Sequence, residues 1–394
     1  MPAPATRPAI PRLAQPMAGD LADAELLTLA QEVRATQQRL LGFPANTRLD
    51  HSADLAASLL GVLLNNVGDP QAPDPYGMGS KDFEQEVVEI LAWLAGAHPA
   101  DTYGYLAPSS SYGIGHGLKL GRDRLPDAPV YYSSAAHYAV PRQIDLLRME
   151  AVQVPALPDG RMDTIALERA CRARPGRGAV VLATIGTTMT GAIDPLPEIR
   201  RAASPAGPVH LHADGALGGL VAALAPPPER RPWAFDGGAD SVTVSGHKFL
   251  GCPIPCAIVL ARKDLVRPAG QGEYVGNHRD ATLACSRSGL AAILLWRTLA
   301  RLGLGGLEKQ VLGCLEVADY AQQRLTELGL HAWRHPGSIT VVLDPPPPEV
   351  RARYSIPVED GIAHIIAMPH VTPELVDEFC DALHQPHPPA GSRS

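Results

Sequence analysis

A lysine lies where a buried-looking strand of the sequence ends. The stretch SVTVSGHKFLGCPIPCAIVL, residues 241–260, begins with a β-branched strand pattern and turns at Ser245-Gly246-His247-Lys248. It then returns to apolar residues interrupted by prolines. A lysine ammonium that leaves water must be paired or lose its proton. Lys248 is therefore a candidate nucleophile.

Other polar side chains follow the strand patterns of the same region. Asp214 ends PVHLHAD, His137 follows APVYYSS, and Thr188 follows GAVVLATIG. In parallel sheets, ligands bind outside the carboxyl ends of the strands. We therefore expect these side chains to lie around one site.

A serine-rich turn precedes a predicted helix in APSSSYGIGHGLKLG. Ser109, Ser110 and Ser111 offer hydroxyls and backbone N–H groups to an anion. The spacing Gly113-x-Gly115-x-Gly117 also suggests a dinucleotide site, but a phosphate cup accounts for it equally well. A lysine, an acid, a histidine and a phosphate cup together predict a pyridoxal 5'-phosphate site.

The expected roles follow from what this cofactor needs. Lys248, with a depressed pKa, can condense with the aldehyde as a Schiff base. Asp214 can keep the pyridine nitrogen protonated, so that the ring accepts electrons. His137 can stack on one ring face.

The alternation of strand and helix patterns predicts an α/β fold with a mostly parallel sheet. The domain prediction is a flexible leader (1–20), an N-terminal helical segment with a substrate-side loop (21–75), a large cofactor-binding domain (76–300), a small C-terminal α/β domain (301–385) and a disordered tail (386–394). The strands are expected at 128–134, 178–186, 208–214, 241–245 and 256–262.

Composition limits the classes of partner. The net charge of −7 argues against a nucleic-acid ligand. No apolar run approaches the ~20 residues of a membrane-spanning helix, so no membrane association is expected. Six scattered cysteines indicate reduced thiols and a cytoplasmic location. Cys252 and Cys256 form the one close pair, and we expect buried thiols there and no metal.

The residues also resemble a family. SGHKFLGCPIPC and HADGALGGL are similar to group II pyridoxal-phosphate-dependent amino-acid decarboxylases, nearest to the branch of bacterial histidine and plant serine decarboxylases. The resemblance runs from about Gly42 to Leu383, through YYSSAAHYAV, ATIGTTMTGAIDPL and AHIIAMPHVTPELVDEF. It implies the transferase-like fold type I, with a large sheet of the seven-stranded type. It also implies a homodimer with active sites at the interface.

The resemblance implies roles for further residues. Cofactor contacts are implied for Thr188, Ala216, Ser245, His247 and Ser286, with Ser286 reaching the neighbouring subunit's phosphate. Asn65, Asn66 and Tyr76 occupy the family's substrate-side region.

The implied reaction converts an L-amino acid to its amine and carbon dioxide through an external aldimine and a quinonoid. Lys248, His137 and Tyr274 are candidates for returning a proton to Cα. No cation is evident for an acidic side chain, so histidine, serine or another small neutral amino acid remains open.

Three alternatives remain. Tyr112 and Ile114 depart from the family's phosphate turn, which allows another carbanion reaction (decarboxylative oxidation or transamination) or an inactive cofactor-binding partner subunit. His210, His212 and Asp214 alternate onto one face of a strand. Their spacing also suits a metal-dependent hydrolase.

Overall fold

The computed structural model describes residues 19–48, 53–267, 270–276 and 279–384. Most of the predicted leader and the predicted tail lie outside these residues. The helices are α1 (Gly19–Gln37), α2 (Ala53–Leu60), α3 (Lys81–Leu94), α4 (Ser110–Arg124), α5 (Ala139–Leu146), α6 (Thr164–Arg172), α7 (Leu196–Ala203), α8 (Gly218–Leu224), α9 (Gly289–Glu327), α10 (Pro348–Tyr354) and α11 (Pro373–His384).

The strands fall into a large sheet, a small sheet and two short pairs. They are β1 (Asn65–Val67), β2 (Thr102–Ala107), β3 (Val130–Ser133), β4 (Ala151–Val154), β5 (Ala179–Thr184), β6 (Val209–Asp214), β7 (Ser241–Ser245), β8 (Ala257–Arg262), β9 (Gly270–Gln271), β10 (Arg279–Asp280), β11 (Ser286–Ser288), β12 (Ala332–Trp333), β13 (Thr340–Leu343), β14 (Val358–Glu359) and β15 (Ile362–Ile366).

The large sheet has seven strands in the order β2-β8-β7-β6-β5-β3-β4. Strand β8 is antiparallel to β7 and β2, and the other strands run parallel to one another. The connection from β7 to β8 contains no helix, which suits an antiparallel pair, since a parallel crossover needs a longer connection. The predicted fold class and the five predicted strands are confirmed.

Helices cover both faces of this sheet. Ile114 and Leu118 of α4 pack with Val180 and Leu182 on one face. The opposite face packs against α3, α6, α7, α8 and α9 in the main hydrophobic core. This arrangement leaves the carboxyl ends of β3, β5, β6 and β7 at one edge.

The small antiparallel sheet has the order β12-β13-β15-β14 and packs against α9, while α11 contacts α9 and α10. These strands lie within the range predicted for the small domain. The exact domain boundaries remain a prediction. Helix α9 crosses the predicted boundary and loses helical geometry at Gly303, where φ is 58°.

By length and composition, α9 could cross a membrane, contrary to the expectation that no segment would. Its apolar residues Leu295, Leu299, Leu307 and Val311 are instead buried in the main core. Through these residues α9 packs into the main core, and it also contacts α3 and the small sheet.

Candidate active site

Lys248 follows β7 in a turn that backbone hydrogen bonds hold. Its carbonyl accepts the N–H groups of Asn46 (3.1 Å) and Gly251 (3.2 Å). The Asn46 side chain donates to Phe249 O at 2.9 Å. Lys248 is half-buried, and burial lowers the pKa of its amine while Asp214 opposes that shift. Because the pKa is lowered, a larger fraction of the amine is neutral and nucleophilic at a given pH. No sequence pattern indicated that Asn46 holds this turn.

Asp214 lies at the end of β6 and is only 4% exposed. Burial raises the pKa of its carboxyl, while Lys248, the Ala216 N–H and His137 act to lower it. Its Oδ1 accepts the Ala216 N–H at 3.1 Å. A cationic partner would therefore hold this carboxylate in its charged form.

His137 is the third titratable residue that the sequence analysis predicted at this site. Its Nδ1 accepts the Ala139 N–H at 3.2 Å, so the neutral ring carries its proton on Nε2. Burial and then Lys248 lower the pKa of His137, and Asp214 opposes them. The structure thus brings His137, Asp214 and Lys248 within electrostatic range of one another.

The serine turn lies at the start of α4. Ser109 precedes the helix in extended conformation and makes no side-chain capping bond. The three serines are half-buried, and Ser110 Oγ lies 2.5 Å from Ser245 Oγ. This bond joins the turn to the end of the lysine-bearing strand. Free helix N–H groups beside hydroxyls form a donor set suited to a phosphate.

Among the described hydrogen bonds, neither of the two departures from the family's turn binds these hydroxyls. Tyr112 is 47% exposed, and Ile114 is buried in the core on the α4 face of the sheet. The substitutions therefore leave the serine donors in place.

The small residue Ala216 connects two site residues. Its N–H binds Asp214, and its carbonyl accepts the Ser245 N–H at 3.1 Å. His247 is half-buried with its Nδ1 3.0 Å from Cys256 O. Burial lowers the pKa of His247, and the Cys256 backbone opposes that shift.

Thr188 is exposed in the turn after β5, whereas its neighbour Thr187 is buried and bonded to Thr190 Oγ1 at 2.8 Å. A contact of Thr188 with His137 stays a prediction.

Two of the residues predicted on the substrate side, Asn65 and Tyr76, form hydrogen bonds with other candidate residues. Ser286 is exposed and donates to Asn65 Oδ1 at 2.6 Å. The Tyr76 hydroxyl donates to the Tyr274 carbonyl at 2.5 Å. Tyr274 itself is 77% exposed, with no contact to Lys248 among the described hydrogen bonds. Its role as a proton donor stays a prediction.

Asn66 differs from the other substrate-side residues because it is fully buried. Its amide donates to Glu84 Oε2 at 2.8 Å, and its Oδ1 accepts the Ser80 N–H at 2.6 Å. This geometry favours a structural role and does not favour a substrate contact.

A buried ion pair behind this region was not expected from the sequence. Arg287 and Glu84 form two hydrogen bonds of 3.0 and 3.1 Å, with side chains at most 1% exposed. Glu84 also accepts the Leu106 N–H, and Arg287 donates to Gly68 O. The pair ties α3 to β1, β2 and β11. Its one sequence signal is that Glu84 shares a helix face with the apolar residues Val87, Val88 and Leu91.

The metal-hydrolase alternative is not supported. His210 and His212 are fully buried, and His212 contacts Ser241 Oγ at 2.8 Å and Thr243 Oγ1 at 3.3 Å. Within the described ranges, no cluster of three or more histidine, cysteine or acidic side chains could hold a metal. The structure therefore assigns these imidazoles to packing under α4.

The glycine spacing is likewise a packing feature. A Cβ on Gly113 would lie 2.5 Å from Thr243, and one on Gly117 would lie 2.0 Å from His212 Nδ1. The glycines let α4 approach the sheet closely. They do not indicate a dinucleotide site.

The fold and the site together define a pyridoxal-phosphate enzyme of fold type I. A family model described as the pyridoxal-dependent decarboxylase conserved domain matches residues 116–331. The chain is 33% identical over 347 residues to a histidine decarboxylase of Vibrio anguillarum, covering 86% of this chain and 89% of that one. It is 36% identical over 350 residues to serine decarboxylase 1 of Oryza sativa subsp. japonica, covering 87% and 71%.

The fold is also that of a solved structure, L-methionine decarboxylase from Streptomyces sp. 590. The TM-score is 0.85 at 23% identity, with 95% of this chain and 97% of that chain covered. The chain belongs to the pyridoxal-dependent decarboxylases, in the group II branch. Its function is the decarboxylation of an amino acid with pyridoxal phosphate.

The residues present fit this cofactor. Bound pyridoxal phosphate supplies an aldehyde that condenses with amines and a pyridinium ring that accepts electrons. Lys248 is the amine that would hold the aldehyde, and Asp214 would hold the pyridinium proton. The α4 N-terminus and its serines would bind the phosphate. His137, neutral with its proton on Nε2, would flank the ring and could hold a proton there.

Proposed function

We propose that the substrate is an amino acid with an uncharged or imidazole side chain, with L-histidine and L-serine as first candidates. The observation that carries this proposal concerns the cations of the substrate-side segments. The Arg287 guanidinium donates its hydrogen bonds to Glu84 and to Gly68 O. Lys81 Nζ donates to Asp69 O at 2.9 Å and to Ala72 O at 3.2 Å. Neither cation is left to pair with a glutamate or aspartate substrate.

The relatives support the same choice. The two sequence relatives are named for histidine and serine. Neither relative is named for an acidic amino acid. This agrees with the finding that Arg287 and Lys81 bind groups of the protein itself.

The test is a substrate panel with the purified holoenzyme. L-Histidine, L-serine, small neutral amino acids, L-glutamate and L-aspartate are each supplied, and amine and carbon dioxide are measured together. The proposal predicts equal amounts of both products from a member of the first group. A preference for glutamate or aspartate would contradict the substrate class. Keto acid or no product would instead favour another carbanion reaction or an inactive subunit.

We propose that the enzyme is a homodimer with active sites at the interface. Helix α1 carries the exposed apolar residues Leu26, Leu27 and Leu29, and Tyr274 is exposed beside Tyr76. Exposed large apolar side chains such as these favour association. Sedimentation of the holoenzyme is expected to give twice the chain mass. A fully active monomer would contradict this proposal.

We also propose a cytoplasmic location. The cysteines of the described chain are free, and five of the six are buried. Free thiols are typical of a reducing compartment. Fractionation of the source cells, with a secreted marker protein as control, tests this location.

A further inference from the structure

Two buried thiols lie directly behind the lysine turn. The Gly246 N–H donates to Cys256 O at 2.9 Å, and Gly246 O accepts the Cys252 N–H at 3.0 Å. Both cysteine backbones are thus bonded to one glycine, which stands two residues before Lys248. The position of this segment is therefore coupled to the position of the turn.

The two thiols are close enough for each to shift the pKa of the other. Cys252 is 4% exposed and Cys256 is 2% exposed, and both are free. The hydrogen bond from Cys256 lowers the pKa of the Cys252 thiol, and the same bond raises the pKa of Cys256. Cys252 is therefore the better nucleophile of the two, because the thiolate is the reactive form.

The pair lies just beneath the surface. Pro253 and Pro255, on either side of Ile254, are exposed. A small oxidant needs only a local movement of this segment to reach the sulfur atoms. Neither thiol is used by the site described above.

We propose that Cys252 and Cys256 form a reversible intramolecular disulfide with a peroxide as oxidant, and that this bond displaces the Lys248 turn. The Cys252 thiolate attacks the peroxide O–O bond, giving a sulfenic acid and releasing water once the leaving oxygen is protonated. Cys256 then attacks the sulfenic sulfur and releases a second water. Two thiols are oxidised to one disulfide, and one hydrogen peroxide is reduced to two waters.

The packing explains why the turn must respond. A Cβ built on Gly246 would lie only 2.7 Å from Cys256 Sγ, so this sulfur already packs tightly against the glycine. A disulfide brings its sulfurs to about 2.05 Å, with a defined dihedral angle. Moving either cysteine pulls on Gly246 through its backbone bonds. It also pulls on His247, whose Nδ1 lies 3.3 Å from Cys256 N.

The experiment treats the holoenzyme with hydrogen peroxide, blocks remaining thiols by alkylation, and measures three quantities. These are the intact mass, the cross-linked peptides, and the visible absorbance of bound cofactor. The expected result is loss of the mass of two hydrogen atoms, a 252–256 link, and a fall in the visible band. Dithiothreitol is expected to restore both the mass and the band.

Two variants serve as controls. Cys252→Ser is expected to abolish the link and keep the visible band in peroxide. Cys285→Ser removes the exposed cysteine and is expected to respond as the wild type does. The proposal is overturned if no 252–256 link forms, if the link leaves the band unchanged, or if Cys252→Ser loses the band equally. Since all three readouts are taken without substrate, they do not depend on which amino acid is decarboxylated.

Discussion

Single side chains decide the chemistry, and Asp214 is the clearest case. Its carboxyl is buried, and burial raises its pKa more than nearby Lys248 lowers it. Because the pKa is higher in the folded than in the unfolded protein, the ionised carboxyl destabilises the folded state at high pH. This destabilisation disappears as the pH falls and the carboxyl becomes protonated. This cost is understandable if the carboxylate is there to meet a pyridinium proton.

Replacing Asp214 by asparagine is expected to separate catalysis from folding. Asp214→Asn keeps the size but loses the charge, so turnover is expected to fall about a hundred-fold or more. The free energy of unfolding of the cofactor-free protein is expected to change by no more than about 1 kcal/mol or to rise. Turnover and urea unfolding are the measurements.

Asp240→Asn is the matched control. Asp240 is a buried acid at the other end of the sheet, bonded to Leu211 N at 2.8 Å and Arg200 at 2.6 Å. Its replacement is expected to cost about 1–3 kcal/mol of stability and leave turnover largely unchanged. Wild-type turnover in Asp214→Asn would exclude its role as the ring's partner.

At the scale of elements, close approach of α4 to the sheet positions both the phosphate turn and the lysine strand. The approach requires glycine where the helix faces β6 and β7. His116 of α4 and His210 and His212 of β6 are all buried in this region. These three residues form an imidazole layer between the helix and the sheet.

Gly117→Ala is expected to destabilise the protein by about 1–3 kcal/mol, because its Cβ would overlap the imidazole of His212. Gly313→Ala in α9 is the control, since a Cβ there meets no atom within 4 Å. That variant is expected to gain up to about 1 kcal/mol from helix propensity. Equal effects of the two variants on urea unfolding would contradict the packing account.

The imidazole layer predicts a pH dependence of stability. Burial lowers the pKa of His116 and His212 to about 3 and that of His210 to about 4, from 6.5. Their folded-state pKa lies below the unfolded value. The stability they contribute is therefore present above pH 6.5 and lost as the pH falls toward 3–4. Each contributes a slope of up to about 1.4 kcal/mol per pH unit.

Urea unfolding between pH 7 and pH 4.5 measures this slope. His212→Gln is expected to be less stable at neutral pH but to lose less stability on acidification, by about one proton's slope. An unchanged slope in this variant would show that His212 is not held neutral by the fold.

The elements also show what a sequence can predict. Five central strands were predictable because they are continuous apolar runs between turn residues. Strand β2 was missed because Gly104 interrupts its short pattern, and β4 was missed because it is a largely exposed edge strand. The site residues at strand ends followed from the parallel sheet.

Contacts between distant segments could not be predicted. The Glu84–Arg287 pair and the Asn46–Phe249 bond each join residues 203 positions apart. No local pattern encodes such partners. The prediction that Asn66 lines the substrate pocket failed for the same reason. The burial of Asn66 depends on the pairing of β1 with β11, which lies far along the chain.

At the scale of the whole molecule, residues 40–48 connect the small domain to the lysine turn. Leu41 O accepts the Ile366 N–H at 2.7 Å, and Arg48 donates to Pro369 O at 3.1 Å. Between them, Asn46 binds the backbone of Lys248 and Phe249. The position of the reactive lysine thus depends on the packing of both domains.

The most direct test of this account is to locate the lysine that holds the cofactor. The sequence contains five lysines, at positions 81, 119, 248, 263 and 309. Borohydride reduction of the holoenzyme followed by peptide mass mapping is expected to find the phosphopyridoxyl group on Lys248. Its presence on another lysine, or its persistence at full yield in Lys248→Ala, would contradict the account.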